Sequence, residues 1–248
     1  MQISGRGRLD MGSKEVTDIT IIIPSLNPDE KFHRTLDSIL EKGFHNIVVV
    51  DDGSDNDHKE PFQYAEAKGC KVLVHPVNKG KGRALKTAFE YCLQQENCIG
   101  VITVDGDGQH GAADIYQCGA AMLSLDEVVL GCRDFSEPQV PFKSKYGNNI
   151  TKFAFKVLCG IKISDTQTGL RAIPAKDLAV MPEIAGERFE YETNMLLEMK
   201  SKGISWAEQK IETIYLDDNA SSHFHPFRDS WKIYKIIFKY CFSKGKSK

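Results

Sequence analysis

The run Gly100-Val-Ile-Thr-Val-Asp105-Gly-Asp107-Gly-Gln109-His110 decides the fold. A short apolar, β-branched segment passes directly into glycine and carboxylate residues. In open α/β sheets, ligands bind beyond the carboxyl ends of the strands. The run therefore reads as a buried strand that delivers two carboxylates to a site. The same rhythm recurs upstream. Residues 18–24 (Asp-Ile-Thr-Ile-Ile-Ile-Pro24) form a β-branched run stopped by proline, and residues 46–51 and 71–75 give two more strands. Between them, Phe32, Leu36, Ile39 and Leu40 carry helical spacing over residues 30–42, which Gly43 closes. Further helices are predicted over residues 59–68 and 81–95. Strands alternating with helices of this length predict an α/β fold with a mostly parallel central sheet flanked by helices.

The second half departs from that rhythm. A strand is predicted over residues 127–131, a basic aromatic helix over 143–158, an amphipathic helix over 193–202 and a late strand over 204–214. No internal repeat or low-complexity linker marks a boundary. The expected organisation is a disordered leader (1–16), one catalytic-sized domain (17–222) and a basic, aromatic terminal segment (223–248).

The 248 residues are 41% hydrophobic and 27% charged, with a net charge of −2. That balance is ordinary for a globular domain and gives no global attraction to nucleic acid. No stretch of about 18 apolar residues is present, so no membrane-spanning helix is expected. The leader lacks the apolar run of a secretory signal. The seven cysteines are odd in number and contain no Cys-x-x-Cys pair, which favours free thiols in a reducing, cytoplasmic compartment.

Asp105 and Asp107, one glycine apart and followed by Gln109 and His110, make an oxygen-rich set suited to Mg²⁺ or Mn²⁺. The same composition also suits a turn. Its place after an apolar strand favours the metal reading, as does a second acidic pair, Asp51-Asp52, after another strand. That pair reads either as a helix cap or as an acceptor of hydrogen bonds from a nucleobase or ribose. Asn78-Lys79-Gly80-Lys81-Gly82-Arg83 combines cations, glycines and a helix start, an arrangement that binds anions; a solvated basic turn is the alternative. It lacks the Gly-Lys-Ser/Thr ending of a P-loop.

Taken in order, Pro24-Ser25-Leu26-Asn27, Asp51-Asp52-Gly53-Ser54, Asn78-Lys79-Gly80-Lys81-Gly82 and Asp105-Gly106-Asp107-Gly108-Gln109-His110 resemble the donor-site motifs of family 2 glycosyltransferases. Gly131-Cys132-Arg133, residues 164–171 (which include Thr168) and Phe189-Glu190-Tyr191-Glu192 resemble later motifs of the dolichyl- or polyprenyl-phosphate mannose or glucose synthase branch. The resemblance spans residues 17 to about 231. It implies a GT-A nucleotide-sugar-binding sandwich and inverting transfer of one sugar from a UDP-glucose- or GDP-mannose-type donor. It implies that Pro24, Ser25, Leu26 and Asn27 line the nucleoside pocket, that Asp51 and Asp52 meet the base or ribose, and that Asp105, Asp107 and Gln109 hold the cation against the diphosphate. Gly106, Lys79, Lys81 and Thr168 complete the expected substrate contacts.

A phosphate acceptor, already anionic at neutral pH, needs positioning cations rather than a general base. Arg133, Lys143, Lys145 and Arg228 are the candidates. A sugar-hydroxyl acceptor, as in cell-surface polysaccharide synthesis, would need a base, for which Glu190 and Glu192 are the candidates; both also read as ordinary polar residues opening a helix. A nucleotide-sugar-binding module without turnover is a further alternative. In the terminal segment Trp231, Tyr234, Phe238 and Cys241 share one helical face and Lys232, Lys235 and Lys239 another, which suits an interfacial helix; docking on the protein's own domain is the alternative. The partners expected are thus a nucleotide sugar and a polyprenyl phosphate at the cytoplasmic face of a membrane. No nucleic acid is expected.

Overall fold

The computed structural model describes residues 14–136, 140, 142–212, 235–238 and 240. Among the described residues seven strands form one sheet: β1 (Thr20–Ser25), β2 (Ile47–Asp51), β3 (Lys71–Val74), β4 (Gly100–Thr103), β5 (Val128–Arg133), β6 (Arg171–Pro174) and β7 (Trp206–Ile211). Their order across the sheet is β3-β2-β1-β4-β6-β5-β7. β6 alone runs against the others, pairing antiparallel with β4 and β5. The expected mostly parallel α/β sheet is present.

Alternation along the strands builds a core on each face. Ile22, Val48 and Val50 point to one side, with Ala88 and Phe89 of α3 (Lys81–Leu93) and Met195 and Leu196 of α7 (Glu190–Lys202). Ile21, Ile23 and Val49 point to the other, against Phe32 and Leu36 of α1 (Lys31–Glu41), Phe62 of α2 (Glu60–Ala67) and Ile115 and Met122 of α4 (Ala112–Leu125). Each strand residue turns to the face opposite its neighbour, so an unbroken run such as Ile21-Ile22-Ile23 feeds both cores. β7, at the edge of the sheet among the described residues, carries Glu208 and Lys210 exposed, which discourages pairing with another chain.

Two elements escape the sequence pattern. α4 is rich in alanine and has little polar contrast around its axis, so helical periodicity does not mark it. β6 has four residues and begins at an arginine. Its direction matters for function. Because β6 runs antiparallel, the segment before it arrives at the same sheet edge where β1, β2 and β4 end. The Thr103 hydroxyl donates to the Gly169 carbonyl at 2.6 Å and fixes that meeting.

The basic helix α5 (Phe142–Ala154) continues as a five-residue π-helical turn, Phe155–Cys159, ended by Gly160 with φ +66°. The six cysteines among the described residues are free thiols. No helix among them is long and apolar enough to cross a membrane. Of the terminal segment, Ile237 is buried in the α3 and α7 core while Phe238 is half exposed. Residues 1–13, Arg228, Trp231, Tyr234 and Cys241, with Lys232 and Lys239, lie outside the described residues, as does the side chain of Lys143.

Candidate active site

The carboxyl ends of β1, β2 and β4 converge on one crevice, at the point where the chain moves to opposite sides of β1. Asp51 ends β2 and is fully enclosed. It accepts a hydrogen bond from the Ser54 N–H at 2.8 Å and pairs with Lys59 at 2.6 Å. Asp52, equally buried, accepts from the N–H groups of Lys79 (2.9 Å) and Gly80 (2.7 Å). His75 Nδ1 donates to it at 2.7 Å. Asp52 thus ties the β2 end to the basic loop before α3, while Asp51 holds the turn that follows β2; residue type alone does not reveal either role. Asn27, with φ +48°, closes the neighbouring turn by exchanging hydrogen bonds with Asp55 and donating its N–H to Ser54 Oγ.

Gly80 (φ +102°) and Gly82 let the loop lie directly on the segment before α7. A Cβ at Gly82 would come within 2.6 Å of the Tyr191 Cβ, and one at Gly80 would overlap the Glu187 carbonyl. Arg83 and Lys86 both pair with Glu187, which pins α3 there. Lys81 is thereby aimed into the crevice. Its ammonium stands 2.7 Å from Asp105 Oδ1 and 2.9 Å from Glu192 Oε1.

Burial alone would raise the Asp105 carboxyl, but the Lys81 charge, with His110 adding to it, outweighs burial and holds Asp105 well below the usual carboxylate range. Asp107 moves the opposite way: burial, and then the neighbouring Asp105 charge, push it up. Lys81 is lifted above its ordinary value because Asp105 and Glu192 overcome its own desolvation. Two carboxylates close enough to disturb each other, with Gln109 beside them, suit a hard divalent cation, whose charge would relieve that repulsion. Among the described residues no group of three His, Cys, Asp or Glu side chains stands ready to hold a metal.

Three buried polar groups around the crevice have unused hydrogen-bonding capacity: Ser25 Oγ, His110 Nδ1 and Arg171 Nη2; His110 Nε2 stands 3.7 Å from Asp105 Oδ2. Ser25 Oγ faces Gly106, where a Cβ would come within 3.1 Å of it. A Cβ at Gly169 would overlap the Asp105 carboxylate, so the 164–170 segment seats directly on the acidic loop. Buried polar groups of this kind call for a partner, which a bound water, ion or polar ligand would supply.

A family model for glycosyl transferase family 2 matches residues 20–180, which contain every one of these groups except those on the α7 side. The chain belongs to glycosyl transferase family 2. A UDP-N-acetylglucosamine–dolichyl-phosphate N-acetylglucosaminyltransferase of Methanococcus voltae is 29% identical over 80% of this chain and 86% of its own. Glycosyltransferase AglJ of Haloferax volcanii is 26% identical over 89% of this chain and 71% of its own. An uncharacterised protein of Methanocaldococcus jannaschii is 27% identical over 98% of this chain and 99% of its own. Among solved structures, glucosyl-3-phosphoglycerate synthase from Mycobacterium tuberculosis in complex with UDP superposes with a TM-score of 0.69 at 15% identity, covering 96% of this chain and 86% of that one. The fold is GT-A.

On the other flank of this glycosyltransferase, Arg133 at the end of β5 is engaged by Asp165, which is completely buried; the guanidinium Nε lies 2.7 Å from Asp165 Oδ2 and Nη2 3.2 Å from Oδ1. The guanidinium also sits 5.2 Å from the Phe135 ring centre. Arg133 still lines a cavity of about 450 Å³ together with Lys145, Lys152 and Lys210. Thr168 is buried and donates its hydroxyl to the Gly131 carbonyl, which places it in the scaffold. Glu190 accepts from the N–H groups of Glu187 and Arg188 at 3.3 Å each and so caps the entry to α7. Of the two glutamates, Glu192 is the one that reaches Asp105's surroundings. Pro24 and Leu26 are partly exposed beside the crevice, and Lys79 is exposed at its rim.

Proposed function

We propose that this chain transfers one hexose from a nucleoside diphosphate sugar to a polyprenyl phosphate at the cytoplasmic face of a membrane. The observation that carries the donor half is the Asp105–Asp107 pair at the crevice floor, facing Lys81 and the start of α3. In this reading Asp105, Asp107 and Gln109 hold a divalent cation, which stabilises charge on the departing diphosphate. The N-terminus of α3, with Lys79 and Lys81, draws the diphosphate by its N–H groups and positive charge. Pro24 to Asn27 form the nucleoside wall, Asp52 acts on the nucleotide through the basic loop it holds, and Asp51 acts through the turn at Ser54. Ser25, His110 and Arg171 supply the unused polar groups.

Support for the acceptor comes from the Methanococcus voltae relative, whose name assigns it a dolichyl-phosphate acceptor, and from α5 with the π-helical turn that follows it. Tyr146, Ile150, Phe153 and Val157 recur at helical spacing and are 59%, 41%, 68% and 60% exposed. Lys145, Lys152, Lys156 and Lys162 flank them. An apolar stripe edged by lysines fits the surface of an anionic bilayer. The adjoining cavity, with Arg133, Lys145 and Lys152, offers cations to an acceptor phosphate. Because such a phosphate is already an anion, the site needs no general base.

The test uses purified protein, liposomes containing polyprenyl phosphate, labelled UDP-N-acetylglucosamine, UDP-glucose or GDP-mannose, and free sugars as competing acceptors. Lipid-linked product with at least one donor supports the reading. Transfer to a sugar hydroxyl with none to lipid would favour the second reading, in which Glu192, already in the crevice, serves as the base.

A further inference from the structure

Lys81 puts a single positive charge between two carboxylates, with Asp105 Oδ1 at 2.7 Å and Glu192 Oε1 at 2.9 Å. A divalent cation bound at Asp105 would share that carboxylate with this ammonium, and the two positive charges would repel each other at close range. We propose that Lys81 is a resident counter-ion that occupies Asp105 until a nucleoside diphosphate arrives, so that cation and nucleotide strengthen each other's binding. The proposal rests on the donor-site reading above.

The backbone around Lys81 is fixed. Asp52 takes the N–H groups of Lys79 and Gly80, and Gly80 and Gly82 are wedged against residues 187–191. The side chain is not sealed: Lys81 is 18% exposed and Asp105 29%. The four-carbon stem can therefore swing while the loop stays in place. Leaving is costly without compensation, because Asp105 and Glu192 would remain as facing like charges. A cation of twice the charge compensates at the carboxylates, and a diphosphate at the start of α3 gives the displaced ammonium a new partner. Each ligand thus removes a cost the other would bear, which is positive coupling between two binding events.

The experiment measures Mn²⁺ affinity by electron paramagnetic resonance, with and without UDP or GDP, for the wild type and Lys81→Met. In the wild type, nucleotide should raise Mn²⁺ affinity about 5- to 150-fold. In Lys81→Met, Mn²⁺ alone should bind more tightly than to the wild type, and the nucleotide effect should shrink toward onefold. The metal-free variant should melt below the wild type and recover with Mn²⁺, which a merely collapsed loop would not do. Lys81→Gln, which keeps a donor but no charge, replaces Lys81→Met if that variant fails to fold; Lys81→Arg should keep most of the wild-type coupling. Unchanged Mn²⁺ affinity and unchanged coupling in the neutral variants would overturn the proposal while leaving the donor site standing. If the wild type takes up no Mn²⁺ with either nucleotide, the donor-site reading falls and the proposal with it.

Discussion

The Gly80 N–H donates to Asp52 Oδ2 at 2.7 Å, joining the end of β2 to the loop that opens α3. With Lys79 N–H and His75 on the other oxygen, Asp52 satisfies three donors inside the protein. This makes it a brace for the segment that presents Lys81.

Asp52→Ala should therefore destabilise the ligand-free protein by about 1–3 kcal/mol, since buried donors lose their acceptor. It should weaken UDP or GDP binding as well. Thermal melting and calorimetry check both parts. A carboxylate that merely touched the nucleoside would leave the ligand-free melting temperature where it was.

Asp107 is partly exposed and accepts a local hydrogen bond from the Gln109 N–H at 3.1 Å. Asp107→Asn should fold normally and lose about two orders of magnitude or more in turnover. Chelation with EDTA should silence the wild type, and Mg²⁺ or Mn²⁺ should restore it. Full turnover in EDTA would contradict the metal assignment.

Phe153 on α5 and Val157 on the π-helical turn after it are exposed, so replacing both with glutamate should leave the melting temperature nearly unchanged. An apolar side chain moved out of a bilayer loses about 1.5–3 kcal/mol, so vesicle partition should drop roughly tenfold or more. Activity on long-chain polyprenyl phosphate should fall with it, while activity on a short, soluble prenyl phosphate persists. Equal loss on both acceptors would count against membrane docking through this stripe.

The Cys98 thiol is held below the usual thiol range, chiefly by its hydrogen bond with Cys92, which is itself pushed up. Cys98 is partly exposed, whereas the other described cysteines are buried. At neutral pH, iodoacetamide should label Cys98 first. Because a thiolate is the reactive form, its rate should level off at lower pH than in Cys92→Ser. Mass spectrometry across a pH series reads the difference.

The amino-acid sequence alone determined the strands β1, β2 and β4 and the acidic residues that follow them. Those features follow from patterns a few residues long: an apolar run, a glycine, a carboxylate. It also named Lys81 as a cation for an anionic ligand, and Glu190 and Glu192 as base candidates for a hydroxyl acceptor. The tertiary structure decided which of them meet. Glu190 and Glu192 lie two positions apart on α7, so they project in different directions around its axis. The burial of Tyr191 and Met195 against the sheet sets that helix's rotation, turning Glu192 toward Lys81 and leaving Glu190 to cap the entry turn. Likewise, no local pattern announces that β6 runs antiparallel. That reversal carries Gly169 onto Asp105 and places Asp165 under Arg133, because a strand's direction is fixed by its partners and not by its own residues.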